Sequence, residues 1–166
     1  MKGRSLLILA LMVGLLSSFA YAAKTKPAPN PKAVQYQQAK DTAQRMAAAN
    51  AMALHKMKVT SSNMSTAMKY AKGIATSIDT ANKNLGLLVG VMTADQKTKT
   101  MKKVADMRSQ HSMAMDAQKM LVTELGKKKP SPKVLEDQTE KATNSMKKAI
   151  ADEEDVHEMM GLPKKK

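Results

Sequence analysis

Cysteine is absent from the 166-residue chain, and aromatic residues are nearly absent, with three Tyr, one Phe and no Trp. Without Cys, no disulfide can hold the fold together and no thiolate can attack a substrate or bind a metal. The scarcity of aromatics disfavours a haem pocket and the base-stacking surfaces of proteins that bind single-stranded nucleic acid. We therefore expect no nucleic-acid partner.

Long apolar runs are also missing. The longest, residues 6–16, is too short to span a membrane, and no second run follows it. Lys2 and Arg4 precede the run, and Ala20-Tyr21-Ala22 follows it with the small-residue pattern of a cleavage site. These features predict a signal peptide over residues 1–22, cleaved near Ala22. We expect a periplasmic or secreted protein whose mature chain has no transmembrane segment.

Acidic residues are half as numerous as basic ones, and the net charge is +14, or +12 after removal of the predicted signal peptide. Such a charge attracts anionic partners at long range. For an exported protein, the candidate partners are anionic envelope components or unfolded proteins. The alternative interpretation is a Lys-rich helix exterior that serves only solubility.

Four segments of the chain repeat apolar residues at spacings of three and four, which is typical of amphipathic helices. Helix-start signals precede them, of which the clearest is the Thr93-Ala94-Asp95-Gln96 capping box. On the first helix, the inward face is expected to hold Tyr36, Ala39, Ala43, Met46, Asn50, Ala53 and Met57. On the third, it is expected to run Met101, Val104, Met107, His111, Ala114 or Met115, Gln118, Leu121 or Val122, and Leu125.

This pattern predicts an all-α fold, an antiparallel up-down-up-down four-helix bundle over residues 31–161. A basic, Pro-rich linker is expected at 23–30 and a basic tail at 162–166. The alternative is a pair of long helical hairpins that assembles only on oligomerisation, because the stripes are rich in Ala and Met and poor in Leu.

Methionine is unusually abundant, with fourteen residues after the predicted signal peptide against eight Leu. Each His has a Met three or four positions away, and such neighbours share one helix face. Thioether and imidazole groups suit Cu(I) or Ag(I). The candidate metal ligands are Met107, His111, Met115, Met52, His55, His157 and Met160. The alternative role for these Met residues is core packing or an adaptable binding surface.

A second cluster of polar residues is the acidic stretch at 152–158. Its Glu154-x-x-His157 spacing is that of a di-iron helix motif, but neither His55 nor His111 has a Glu at the matching position. We therefore expect a solvated acidic face here. No nucleophile–base set or phosphate-binding loop is present in the sequence. We therefore expect a protein that is not an enzyme and that has no cofactor apart from Cu(I) or Ag(I).

Two short segments carry resemblances. Met92-Thr93-Ala94-Asp95-Gln96 resembles the L-T-x-x-Q motif of Spy/CpxP-like periplasmic stress proteins, with Met in place of Leu. Residues 107–116 look like the M-x-x-H-H-x-x-A-x-[DE] segment of a Met/His-rich, ferritin-like, copper-associated family, with Gln110 in place of the first His. Both resemblances imply exported helical proteins of envelope stress or metal handling.

Taken with the residue chemistry, these features predict an exported protein that binds or buffers Cu(I) or Ag(I) in the cell envelope. The alternative is a cationic helical periplasmic stress chaperone or an envelope-binding structural protein.

Overall fold

The computed structural model describes residues 28–162. The predicted signal peptide, residues 23–27 of the predicted linker and residues 163–166 of the predicted tail lie outside the described residues. Within the described range the chain forms four α-helices and no strand. They are α1 Pro31–Lys56, α2 Met64–Val91, α3 Ala94–Leu125 and α4 Pro132–Met160.

The helices form a closed ring in which each packs against two neighbours, α1 against α2 and α4, and α3 against α2 and α4. The connections between helices are short, so consecutive helices run antiparallel. The predicted all-α four-helix bundle is confirmed. None of the four helices combines the length and apolar character that crossing a lipid bilayer requires.

Polar caps fix where the helices begin. The Asn30 side chain accepts a hydrogen bond from the Lys32 N–H, and the Thr93 hydroxyl accepts one from the Gln96 N–H at 3.2 Å. The Gln96 side chain accepts from the Thr93 N–H at 3.0 Å, which completes the predicted capping box. At the C-terminal end of α4, Gly161 has a φ of 67°, a left-handed conformation that glycine adopts readily and that ends the helix.

The apolar core is divided into two clusters along the bundle. The first apolar cluster lies near the α1–α2 and α3–α4 connections, and it includes Ala47, Ala51, Leu54, Ala71, Ile74, Ile78, Ala117, Leu121, Leu125, Leu135, Ala142 and Met146. The second apolar cluster lies at the opposite end and contains Ala33, Leu85, Leu88, Met92, Val104, Met107, Val156, Met160 and Leu162. The division leaves the middle of the bundle to other side chains.

The predicted face of α1 is wrong in part. Met46 was expected inside, but 55% of it is exposed, whereas Gln37, Lys40, Asp41 and Gln44 are buried. A pattern based on apolar residues cannot find a face whose centre is polar. On α3, Met101 is likewise 43% exposed, while Val104, Met107 and His111 are buried as expected.

Candidate functional site

Six buried polar side chains lie across the middle of the bundle, mostly between the two apolar clusters, and we call them the polar layer. They come from α1, α3 and α4: Lys40, Asp41, Gln44, His111, Glu153 and His157. Buried charges are costly unless they are paired and hydrogen-bonded. The contacts within the layer therefore decide what chemistry it can perform.

Lys40 is the centre of this layer. Its Nζ lies 3.1 Å from Asp41 Oδ1 and 3.2 Å from Glu153 Oε2, and all three side chains are almost fully buried. The same ammonium donates to Gln44 Oε1 at 3.3 Å. A single cation thus joins α1 to α4 and holds the Gln44 amide in a fixed orientation.

The Glu153 carboxyl differs from an ordinary surface carboxyl in its acidity. Burial raises the pKa of Glu153 to about 8, and a hydrogen bond with Asp41 acts in the same direction, against the lowering effect of Lys40. At neutral pH this carboxyl therefore keeps its proton, and the Asp41 carboxylate balances Lys40. The expectation that residues 152–158 form a solvated face is wrong for Glu153, because its partners come from α1.

Asp41, Glu153 and His157 form the one group of three His or acidic side chains, within residues 28–162, whose ligand atoms lie close enough to hold an ion. His157 Nε2 is 3.4 Å from Asp41 Oδ2 and 3.8 Å from Glu153 Oε1. A divalent cation here would have to displace the Glu153 proton and approach the Lys40 ammonium. The arrangement therefore fits a structural ion-pair network better than a metal centre.

His111, the centre of the predicted α3 site, is fully buried, and both of its ring nitrogens have partners. Nδ1 lies 2.6 Å from Asn82 Oδ1 on α2, and Nε2 lies 2.9 Å from Gln44 Nε2. Because Lys40 already donates to Gln44 Oε1, the Gln44 amide presents its N–H groups to the ring. His111 Nε2 is therefore the acceptor and Nδ1 carries the hydrogen.

This neutral state of His111 agrees with its pKa. Burial and, to a smaller extent, the charge of Lys40 lower that pKa to about 4. The Gln44 Nε2 that donates to the ring also contacts the sulfur of Met107, at 3.9 Å. Met107 and His111, two of the predicted ligands, thus both contact the side-chain amide of Gln44. Met115, the third, is half-buried and lines an outer groove with His111, Asn82 and Asp116.

His157 and Met160 were predicted as a third ligand pair, but they have different surroundings. His157 faces Asp41 and Glu153, whereas Met160 is buried in the second apolar cluster. The Met160 carbonyl also accepts a hydrogen bond from Gln96 Nε2, at 3.3 Å.

Met52 and His55 lie on the exposed side of α1 and line one groove between α1 and α4, with a volume of about 360 Å³. The groove also includes Glu136, Glu140, Thr143, Asn144, Lys56 and Lys147. His55 is exposed, and Met52 is 39% exposed. The structure therefore brings this thioether and imidazole to the same open surface.

The His55 ring has a defined orientation. Its Nδ1 lies 3.1 Å from the hydroxyl oxygen of Thr139 on α4. The single hydrogen of that hydroxyl is shared between the backbone carbonyls of Leu135 and Glu136, at 2.8 and 2.9 Å, so the hydroxyl acts as the acceptor towards His55. Nδ1 therefore carries the hydrogen, and Nε2 holds the free lone pair of the neutral ring. This arrangement is typical of metal-binding His residues, which donate through the other nitrogen.

Lys40, Asp41, Gln44 and Glu153 were not among the residues predicted to form a site. On α1, a signal for them exists in the sequence, because positions 37, 40, 41 and 44 are polar at helical spacing and continue the inward Ala positions. Glu153 carries a similar signal, since it lies four residues after Ala149 and three before Val156, which are both buried on α4.

Comparisons with known proteins find no protein-family model, curated protein or solved structure that matches this chain.

Proposed function

We propose that this protein is an exported soft-metal buffer or carrier, which binds Cu(I) or Ag(I) through Met52 and His55 in the α1–α4 groove. The observation that carries the proposal is the orientation of His55 by Thr139, which leaves Nε2 as the lone-pair nitrogen on an exposed surface. An exposed thioether lies on the same groove. Soft, low-coordinate ions accept such a donor set. The signal-peptide features of the sequence support export.

The other two His residues support the proposal less well. Metal binding by His111 would break its hydrogen bond with Gln44 or with Asn82 in the middle of the bundle. His157 would bring an ion close to Lys40. For these reasons we propose that the metal binds first at His55. Of the seven predicted ligands, Met52 and His55 are the leading pair.

The experiment is a competition for Cu(I) between the mature protein and a chromogenic chelator at neutral pH. His55→Ala and Met52→Leu should each weaken binding, because each removes one donor atom. Met46→Leu is the matched control, since Met46 is exposed on the same helix but does not line the groove. An absence of competition by the wild type, or equal losses in the control, would contradict the proposal.

Thr139→Val tests the orientation of the ring separately from the donor atoms. Valine has nearly the same shape as threonine, so the buried position is retained while the hydrogen-bond acceptor for His55 is lost. Loss of such an outer-shell partner typically weakens metal affinity by about 10–100-fold. Unchanged Cu(I) affinity in this variant would show that Thr139 does not position the ring.

A second candidate function is that of a cationic helical chaperone or envelope-binding protein. The observation in its favour is that six of the seven exposed large hydrophobic side chains in the described part of the chain are Met: Met46, Met52, Met101, Met113, Met120 and Met159. Flexible Met side chains form adaptable binding surfaces. This function predicts suppression of the aggregation of a reduced, unfolding client protein, in a manner that weakens as salt rises because exposed Lys charges are screened.

A further inference from the structure

An apolar groove opens at the end of the bundle where the α1–α2 and α3–α4 connections lie, and we call it the tip groove. Its volume is about 550 Å³, within the range of small-molecule sites in proteins. The apolar side chains that line it include Leu54, Met57, Val59, Met64, Pro130 and Leu135. They come from both connections and from the adjoining helix ends, so the groove is a concave surface between two parts of the chain.

The apolar lining of the tip groove is continuous with the core beneath it. Leu54 and Leu135 are buried members of the first apolar cluster, while Met57, Val59 and Met64 are half-buried and pack against that cluster. An apolar ligand in the groove would cover these half-buried side chains and extend the core outward. The hydrophobic effect favours such burial in proportion to the apolar area that is removed from water.

Cations dominate the polar part of the same groove. Lys58, Lys128 and Lys129 line it and are exposed, whereas Glu136 is the one acidic residue in its lining. Lys128 and Lys129 are adjacent in the α3–α4 connection, so two ammonium groups are available near one place on the rim. Their charges complement an anionic head group, and their alkyl stems can extend the apolar surface.

An apolar groove with cations on its rim fits an elongated apolar ligand that has one anionic end. A free long-chain fatty acid has this chemistry, since it combines a single acyl chain with one carboxylate. A two-chain phospholipid would need more apolar space, and an apolar surface patch on a protein would gain little from the clustered cations.

We propose that the tip groove binds a free long-chain fatty acid, with the acyl chain against Leu54, Val59 and Met64 and the carboxylate near Lys128 and Lys129. This site goes beyond the proposed metal-binding function and requires no metal. His55 lines both grooves. The tests therefore use metal-free protein and leave His55 unchanged.

The experiment is displacement of a fluorescent fatty acid, cis-parinarate, from the metal-free mature protein by decanoate, dodecanoate and tetradecanoate, each below its micelle-forming concentration. Each further methylene that the groove buries should tighten binding about fourfold. Dodecanol, which has the same chain without the charge, should compete more weakly than dodecanoate.

A second experiment tests the role of the cations by comparing two double variants with equal changes in net charge. Lys128→Glu/Lys129→Glu reverses the rim of the groove and should weaken dodecanoate binding about tenfold. Lys83→Glu/Lys102→Glu is the matched control, because both side chains are exposed and neither lines the groove. Circular dichroism should show the same helicity in both.

Three results would overturn the proposal: no displacement, affinity independent of chain length, or equal losses in the two double variants. Binding to anionic vesicles without binding of free fatty acid would also overturn it, in favour of a membrane surface as the occupant. The metal proposal is unaffected by any of these outcomes, because its donor atoms are not changed.

Discussion

Lys40 illustrates how much a single buried charge depends on residues distant in the sequence. Its ammonium contacts Asp41 from the next position on α1 and Glu153 from α4, and no part of its side chain reaches solvent. Lysine is almost never fully buried unless it is paired. The stability of the middle of the bundle therefore depends on these contacts.

Replacement of Lys40 by Met should lower the free energy of unfolding by about 3–5 kcal/mol, because it leaves the buried Asp41 carboxylate without its cation. Chemical denaturation at neutral pH measures the change. Lys32→Met on the exposed start of α1 is the control and should change stability by less than about 0.5 kcal/mol. Equal effects of the two substitutions would mean that the contacts of Lys40 contribute nothing to stability.

The burial of residues in the polar layer was more predictable from the sequence than their partners were. His111 lies on an apolar stripe of α3, so its inward position follows from helical spacing. Helical spacing also places Glu153 on the inward stripe of α4, between Ala149 and Val156, but nothing local in the sequence identifies Lys40 of α1 as the partner of its buried carboxyl. The accessible metal-ligand pair could be proposed from Met52 and His55, but the tautomer of His55 depends on Thr139, on a helix far along the chain.

Among the helices, the start of α3 was the best predicted feature, because a capping box is a purely local arrangement. The face of α1 was less predictable, since its inward stripe combines Ala with Lys40, Asp41 and Gln44. Local hydrogen bonds can be read from neighbouring residues, whereas the direction in which a helix faces depends on the helices packed against it.

Thr93→Ala removes the hydroxyl that accepts from the Gln96 N–H and should destabilise the protein by about 0.5–2 kcal/mol. Thermal unfolding followed by circular dichroism measures this effect. Thr98→Ala, in the first turns of the same helix and exposed, should change stability by less than about 0.5 kcal/mol. A larger loss at position 98 than at 93 would contradict the role of the cap.

Two glycines of α2 provide a second matched pair. At Gly86, no atom beyond the adjacent residues and the nearby backbone of its own helix lies within 4 Å of where a Cβ would lie. Gly86→Ala should therefore stabilise the helix by about 0.5–1 kcal/mol. A Cβ at Gly73 would lie 2.7 Å from Asn50 Nδ2 on α1, so Asn50 would have to move. Gly73→Ala should therefore gain less, or lose stability, and an equal gain at both positions would contradict the close approach of α1 and α2.

Over the whole molecule, the dependence of stability on pH reflects the buried titratable groups. The raised pKa of Glu153 means that its contribution is complete below pH 4.5 and is lost as pH rises through about 8. The lowered pKa of His111 acts in the opposite sense, since its contribution is complete above pH 6.5 and is lost as pH falls through about 4. Between pH 6.5 and 8, Glu153 is therefore the one of these two groups whose protonation differs between the native and the unfolded protein.

The free energy of unfolding should therefore fall as pH rises from 6.5 to 8, and Glu153→Gln should flatten this decline, because the amide has no proton to lose. Urea titrations of both proteins across this range provide the comparison. Parallel pH profiles for the wild type and the variant would show that Glu153 is already ionised in the native protein across this window, which would contradict its raised pKa.

The division of the core into two apolar clusters has a spectroscopic consequence. After removal of the predicted signal peptide, Tyr36 and Tyr70 are the only aromatic residues, and there is no Trp to accept their excitation energy. Tyr36 packs against the second apolar cluster and Tyr70 against the first. Each end of the bundle thus carries its own fluorophore, and proteins with Tyr36→Phe or Tyr70→Phe would emit from one end alone. Their emission during denaturation would show directly whether the two halves melt together or in sequence.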